Sequence, residues 1–253
     1  MHSFSTEPNS GQIVGAVNFD GGGRIWCNIT DTTYEELQIG MAMEMSFREV
    51  FYDYGIHNYF WKAIPTVVAA ASVNDQVARF VQSVFACPTF RVYINHDPIG
   101  TQIGGAMKNV LAIAAGICDG MNMGLNPRAA LITRGLTEMN RLGTRLGADP
   151  LTLSGLAGVG DLLLTCTGAL SRNYTVGVQI GQGKKLDDII SEMRMVAEGV
   201  KTTRSVYNLS RKLGVDLPIC NEVYYVLFEN YPLEQTIQRL MNRSLKHELD
   251  GVL

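Results

Sequence analysis

Apolar positions fall in two different rhythms along the chain, and the change comes near residue 64. Pro65-Thr-Val-Val-Ala-Ala-Ala-Ser72 is almost wholly apolar, with small and β-branched side chains. That pattern predicts a strand buried on both faces, as in a parallel sheet. Asn74 to Phe85 then carries Val77, Phe80, Val81, Val84 and Phe85 at helical spacing, and Pro88 closes it. Phe90-Arg-Val-Tyr-Ile-Asn95 reads as a second strand. Strand, helix and strand over about thirty residues make a βαβ unit.

Beyond Asn95 the periods are helical only. Thr101–Ile117 is apolar and helical, and Asn126-Pro127 predicts an N-cap and first-turn proline for a helix to about Leu146. Its core stripe is Ile132, Leu136, Met139, Leu142 and Leu146. Arg134, Glu138 and Arg141, at i, i+4 and i+7, are expected as surface ion pairs worth a few tenths of a kcal/mol. Asp149-Pro150 opens another helix in the same way. Later helices are expected near Arg172–Ile180, Leu186–Met193, Gly199–Leu213, Ile219–Phe228 and Pro232–Arg243, with Gly181-Gln-Gly183 as a helix stop. Residues 1–64 lack such order. They hold Gly21-Gly22-Gly23, a candidate helix from about Thr33 to Val50, and an aromatic stretch of Phe47, Phe51, Tyr52, Tyr54, Tyr59, Phe60 and Trp61. The pattern is therefore an unassigned leader at 1–64, a βαβ part at 65–97 and a helical domain at 98–253.

Composition narrows the function classes. The chain has 253 residues, 46% of them hydrophobic and 18% charged, which excludes disorder on the scale of the whole chain. Twenty-one basic residues against 24 acidic ones give a net charge of −3 and no broad positive field, so nucleic acid is not expected as a partner. No apolar run is expected to span a bilayer, which takes roughly 18–20 residues. The opening MHSFSTEPNS lacks the charged-then-apolar order of a secretory signal. Cysteines 27, 87, 118, 166 and 220 are odd in number and widely spaced. They suit a reducing cytoplasm better than a disulfide framework or zinc site, and no metal is expected. Histidines 2, 57, 96 and 247 show no ligand spacing, and Cys166 is expected to pack.

Three places could carry chemistry. Lys108 has Gly104, Gly105, Leu111, Ala112 and Ala115 as its helical neighbours, a small apolar niche in which two glycines would let another group approach. Desolvation there would tune the amine for proton transfer. A lysine snorkelling outward, or paired with a buried carboxylate, fits the same pattern. Asp161 and Thr165, four apart in Gly158-Val-Gly-Asp-Leu-Leu-Leu-Thr165, share a helix face. Asp161 is either an ordinary cap or solvent-facing acid, or a buried one, with Lys108 the natural partner. Leu170-Ser171-Arg172-Asn173 opens a helix. It offers N–H groups, a hydroxyl, an amide and a guanidinium to an anion. Ser171 as a plain N-cap explains that position equally well.

In order along the chain, residues 65–253 resemble the NAD(P)-dependent glycerol-3-phosphate dehydrogenases. The matching blocks are Pro65-Thr-Val-Val-Ala-Ala-Ala-Ser, Phe90-Arg-Val-Tyr, Ile99-Gly, and Gly104-Gly-Ala-Met-Lys-Asn-Val-Leu-Ala-Ile-Ala-Ala-Gly. Asn126-Pro-Arg-Ala-Ala-Leu-Ile-Thr-Arg-Gly, Gly155-Leu-Ala-Gly-Val-Gly-Asp-Leu-Leu-Leu-Thr-Cys-Thr, Ser171-Arg-Asn and Val196-Ala-Glu-Gly follow. The resemblance implies the remnant of a Rossmann-type α/β domain, followed by an all-α substrate domain like the C-terminal domain of 6-phosphogluconate dehydrogenase. It implies exchange of sn-glycerol 3-phosphate and dihydroxyacetone phosphate with NAD or NADP. Lys108 matches the lysine that trades a proton with the C2 oxygen, and Asp161 the acid beside it. Thr165, Ser171, Arg172 and Asn173 match substrate-contacting positions, and Arg172, Val196 and Glu198 cofactor-contacting ones. A small phosphate ester is the expected partner, with a homodimer as the candidate assembly. The family's Gly-x-Gly-x-x-Gly turn, its second active-site lysine and its Gly-Pro-Ser/Thr-Phe loop have no counterpart in residues 1–64. The rival reading is a truncated, non-catalytic fragment acting through substrate binding or subunit contact. Another dehydrogenase with a similar helical domain but a different 2-hydroxy or 2-keto substrate is a third, which the Ser171-Arg172-Asn173 site disfavours.

Overall fold

The computed structural model describes residues 4–6, 13–18, 24–29, 45–53, 56–62, 66–87, 90–168, 171–193 and 197–245, with backbone only up to residue 66. It divides into two compact units, residues 1–66 with 86–91, and residues 67–85 with 92–253.

In the first unit, β1 (Phe4–Thr6), β2 (Ile13–Asn18) and β3 (Arg24–Ile29) form an antiparallel sheet in that order. Ile13 faces Ile29 and Asn18 faces Arg24, so β2 and β3 flank the Gly21-Gly22-Gly23 run. β4 (Met45–Asp53) pairs antiparallel with β5 (Ile56–Lys62), with register shifts at Met45/Ser46 and Glu49/Phe51. The expected helix over Thr33–Val50 is thus corrected where the two overlap: Met45 to Val50 are strand. Aromatic residues favour a pleated, paired backbone, and the aromatic run beyond Tyr54 supplies the partner strand. Residues 33–44 lie outside the described residues.

The expected βαβ follows, most of it in the second unit and Thr66, Phe90 and Arg91 in the first. β6 (Thr66–Ala71) and β7 (Phe90–Asn95) make a two-stranded parallel sheet joined by α1 (Asp75–Phe85). Asn74 starts α1 by accepting from the N–H groups of Gln76 and Val77, at 2.9 and 3.3 Å. Gln82 Nε2 ties the helix to the carbonyl of Val92 at 2.7 Å. Two strands do not by themselves make a dinucleotide-binding domain. Burial also differs from expectation. Val67 on β6 is exposed, as are Val77, Phe80, Val84 and Phe85 on α1, where only Ala78 is buried. An apolar pattern marks a face that can be buried; only neighbouring elements bury it.

The rest is helical: α2 (Pro98–Gly120), α3 (Leu125–Arg145), α4 (Pro150–Leu153), a π-helical turn (Leu156–Gly160) and α5 (Asp161–Thr167). α6 (Arg172–Gly181), α7 (Leu186–Glu192), α8 (Glu198–Leu213), α9 (Pro218–Phe228) and α10 (Leu233–Met241) follow. α2 is the axis of this body, buried without a break from Val110 to Gly116, which explains a sequence apolar all round. Met107, Leu111, Ile113, Met139, Leu142, Leu153, Leu162, Ile189 and Leu217 are fully buried around it. α6 lies against α2 backbone to backbone. A Cβ on Gly116 would sit 2.1 Å from the Tyr174 carbonyl oxygen, and one on Gly177 2.1 Å from that of Ile113. Asp97 caps α2 through Gly100 N–H at 2.8 Å, and its other oxygen holds Asp149 N–H at 2.8 Å. Asp149 in turn caps α4. Burial opposes ionisation of Asp97, yet these N–H groups keep its pKa below the usual value.

Three helix expectations are corrected. α3 starts at Leu125, with Gly124 as N-cap at φ 88°, so Asn126 is not the cap. The stretch Pro150–Thr167 does reach 18 residues at mean hydropathy 1.2, but it is broken into α4, the π turn and α5. Glu138 is not on the surface: it is 2% exposed, and its carboxylate caps α9 by accepting from Ile219 and Cys220 N–H at 2.6 and 3.1 Å. It lies four residues before Leu142, on the core side of α3, and α9 has no side-chain cap of its own. Burial pushes the Glu138 pKa up to about 7 despite the two N–H donors. The unfolded carboxyl loses its proton near 4.5, before the folded one does. Stability from this group is therefore full below about pH 4.5 and falls as pH rises towards 7, by about 3 kcal/mol. Urea unfolding at pH 5 and 7.5 should show that fall in the wild type. Glu138→Gln should be weaker at both values but lack the slope, and an equal slope in the variant would refute the assignment.

Candidate active site

Lys108 lies almost three turns into α2, and Asp161 opens α5. Between them the chain must bring the π turn onto α2, and two glycines permit it. A Cβ on Gly104 would lie 2.0 Å from the Ala157 carbonyl oxygen, and one on Gly158 1.8 Å from that of Leu153. With no Cβ at either position, the turn rests on α2 one helical turn before Lys108. The result is a Lys108 Nζ–Asp161 Oδ2 contact of 2.5 Å, with side chains 24% and 33% exposed. Of the readings open at Lys108, the structure shows the amine paired with a partly buried carboxylate. Gly105 behaves differently from Gly104: nothing lies within 4 Å of where its Cβ would be. The niche is therefore closed on one glycine and open over the other.

Thr165 shares the α5 face as its spacing requires, and its hydroxyl donates to the Asp161 carbonyl at 2.6 Å. Cys166 behind it is fully buried, and burial raises its pKa to about 12, so it packs and does not react. Ser171 is the N-cap of α6, its hydroxyl accepting from Tyr174 N–H at 3.3 Å. Arg172 is the first residue of that helix and is half-buried. Asn173 is 8% exposed and engaged at both ends of its amide: Nδ2 donates to Asn109 Oδ1 at 2.9 Å, and Oδ1 accepts from Gly199 N–H at 2.8 Å. Through these bonds the Ser-Arg-Asn turn reaches the residue next to Lys108. Glu198 is exposed in the first turn of α8, where its charge suits the helix dipole. Val196 lies outside the described residues, as does Leu170.

Two features of the site had no clear signal in the sequence. Asn109 follows Lys108 as the lone amide in an apolar run, and its Nδ2 donates back to the Gly105 carbonyl at 3.3 Å. Asp119 binds both Arg128 Nη1 and the Tyr174 hydroxyl, each at 2.5 Å, fastening the end of α2 to α3 and α6. Burial first, and Asp119 second, raise the Tyr174 pKa. The arrangement joins a proton-carrying amine, a carboxylate that holds it, open space beside it and a helix start with anion-binding groups. It can bind a small anion and exchange a proton with an oxygen set beside Lys108.

Comparison with known proteins gives the family. The family profile described as NAD-dependent glycerol-3-phosphate dehydrogenase C-terminus matches residues 97–238. A glycerol-3-phosphate dehydrogenase [NAD(P)+] of Geobacter sulfurreducens is 60% identical over 185 residues, which are 73% of this chain and 55% of the relative. One of Myxococcus xanthus is 54% identical over 191 residues, 76% and 57% of the two chains. The crystal structure of the Coxiella burnetii glycerol-3-phosphate dehydrogenase matches with TM-score 0.69 at 42% identity, covering 72% of this chain and 56% of that one. The chain thus spans little more than half the length of the curated relatives it matches.

Proposed function

Because the chain belongs, through residues 97–238, to the NAD-dependent glycerol-3-phosphate dehydrogenase family, we propose that it exchanges dihydroxyacetone phosphate and sn-glycerol 3-phosphate, with Lys108 as the proton carrier. The observation that carries this reading is the Lys108–Asp161 pair at 2.5 Å, beside an open face and within reach of the Ser-Arg-Asn turn.

The start of α6 takes the phosphate: Arg172 brings charge, Ser171 and the first-turn backbone bring donors, and the helix dipole favours an anion. Anchoring the phosphate spends binding energy on placing a three-carbon substrate whose C2 oxygen meets Lys108 Nζ. In the reductive direction Lys108 donates a proton to that oxygen as the carbonyl becomes an alkoxide, leaving a neutral amine and an alcohol. In the oxidative direction the amine takes the proton back. Asp161 holds the ammonium in place in the first case and stabilises it on its return in the second. The space over Gly105 is open for the reacting groups, and Arg172 and Glu198, at the starts of α6 and α8, would hold NAD or NADP. That group, when bound, supplies or accepts the hydride at C2.

The test uses the full chain. NADH and NADPH are titrated by fluorescence, and dihydroxyacetone phosphate is then supplied. Saturable cofactor binding with consumption of the reduced nucleotide supports the proposal. Binding of the phosphate ester without turnover leaves a substrate-binding domain, and no binding of either removes the reading.

A further inference from the structure

The chain of amides from α2 to α8 has only one possible direction. Gly199 contributes a backbone N–H, so the Asn173 atom facing it is the oxygen. Nδ2 of Asn173 must then face Asn109, which presents Oδ1 to it, and Asn109 Nδ2 faces the Gly105 carbonyl. Backbone groups at both ends fix the orientation of both side chains, so neither amide can turn over without leaving a donor against a donor. The surroundings are tight as well. A Cβ on Gly199 would meet Asn173 Oδ1 at 2.7 Å and the Asn109 carbonyl oxygen at 2.8 Å. The first turn of α8 therefore rests on the backbone of the residue that follows Lys108.

We infer that Asn109 is a positioning residue: through Asn173 it holds the first turn of α8 and the anion-binding start of α6 in register with Lys108. Three helices are joined at this point through the buried Asn173 amide and the half-buried Asn109, where an unmatched donor is costly. Asn173 lies in the first turn of α6, so an anion seated at that helix start is expected to be felt at Gly199 through the Asn173 amide. The inference rests on the functional reading for the identity of that anion, and on geometry alone for the coupling.

Two measurements test it. In the unliganded full chain, amide hydrogen exchange is followed for Asn109→Leu, which keeps the bulk and loses the acceptor, and for Asn109→Asp, which keeps the acceptor. Asn109→Ser removes the reach with less bulk and is measured alongside, so the result does not depend on one variant folding. Gly199 protection should fall at least tenfold in the Leu and Ser variants and stay near wild type in the Asp variant, while Val110–Ala115 of α2 keep theirs. Unchanged Gly199 protection in the Leu and Ser variants overturns the relay. sn-Glycerol 3-phosphate is then titrated with detection at the Gly199 amide resonance. The wild type should show a saturable shift there, and Asn109→Leu should lose that shift and bind at least tenfold more weakly. Wild-type affinity and shift in the variant would also overturn the positioning role. No binding to the wild-type chain defeats the functional reading, and the exchange result still decides the relay.

Discussion

Lys108→Met is expected to lower the rate of dihydroxyacetone phosphate reduction by about a thousandfold, within the 10²–10⁴ range a positioned acid contributes. Methionine retains the unbranched length of the stem and removes the only atom that can deliver a proton. Substrate binding should change by a few-fold at most if, as proposed, the start of α6 and not the amine holds the phosphate. Stability should change little. The Lys108–Asp161 pair is about one-quarter to one-third exposed, and such pairs contribute up to about 1 kcal/mol. Steady-state kinetics and thermal unfolding on the same preparation separate the two effects. A variant with near-normal turnover would remove Lys108 from the chemistry; one that loses its fold would show that the pair is chiefly structural.

Gly104→Ala and Gly105→Ala, adjacent on one helix, are expected to act in opposite directions. The added methyl at 104 meets the Ala157 carbonyl oxygen at 2.0 Å, a backbone group that cannot rotate away. The π turn must lift from α2, which should cost about 3 kcal/mol and draw Asp161 from Lys108. At 105 the methyl enters open space, and the helix gains up to about 1 kcal/mol from replacing glycine. If the nicotinamide and substrate lie over that face, Gly105→Ala should nevertheless reduce their affinity. Urea unfolding gives the stability order. A Gly104→Ala protein as stable as wild type would mean the turn does not rest where the backbone places it. Undiminished ligand binding in Gly105→Ala would move the ligand off this face.

Much of the candidate site was legible because it is local. The spacing of Asp161 and Thr165, the cap at Ser171 and the glycines before Lys108 all act within one or two helical turns. The pairing of Lys108 with Asp161, 53 residues apart, could be read only as a natural match of charges, because a sequence does not say where a turn will lie. Glu138 shows how that limit misleads. Its spacing from Arg134 and Arg141 fits a solvated ion pair, yet it caps a helix that begins 80 residues later. The same holds for Asn173, whose amide is engaged by Asn109 and Gly199 and not simply free for an anion. The Met45–Val50 strand was missed because, for so short a mixed segment, a helical and a paired reading differ only in what lies opposite.

The amino-acid order alone determined the helical character of residues 98–245, the βαβ unit before it and the blocks that carry the family likeness. These follow from periodicity, caps and local motifs, whose energies are settled over a few residues. Tertiary structure decided which polar groups meet: Lys108 with Asp161, Glu138 with the start of α9, and Asn109 with Asn173 and Gly199. It also decided which of two neighbouring glycines is covered and which is open. Those outcomes depend on distances between segments far apart in the chain, and at the lysine they are set by the absence of a Cβ where two backbones touch.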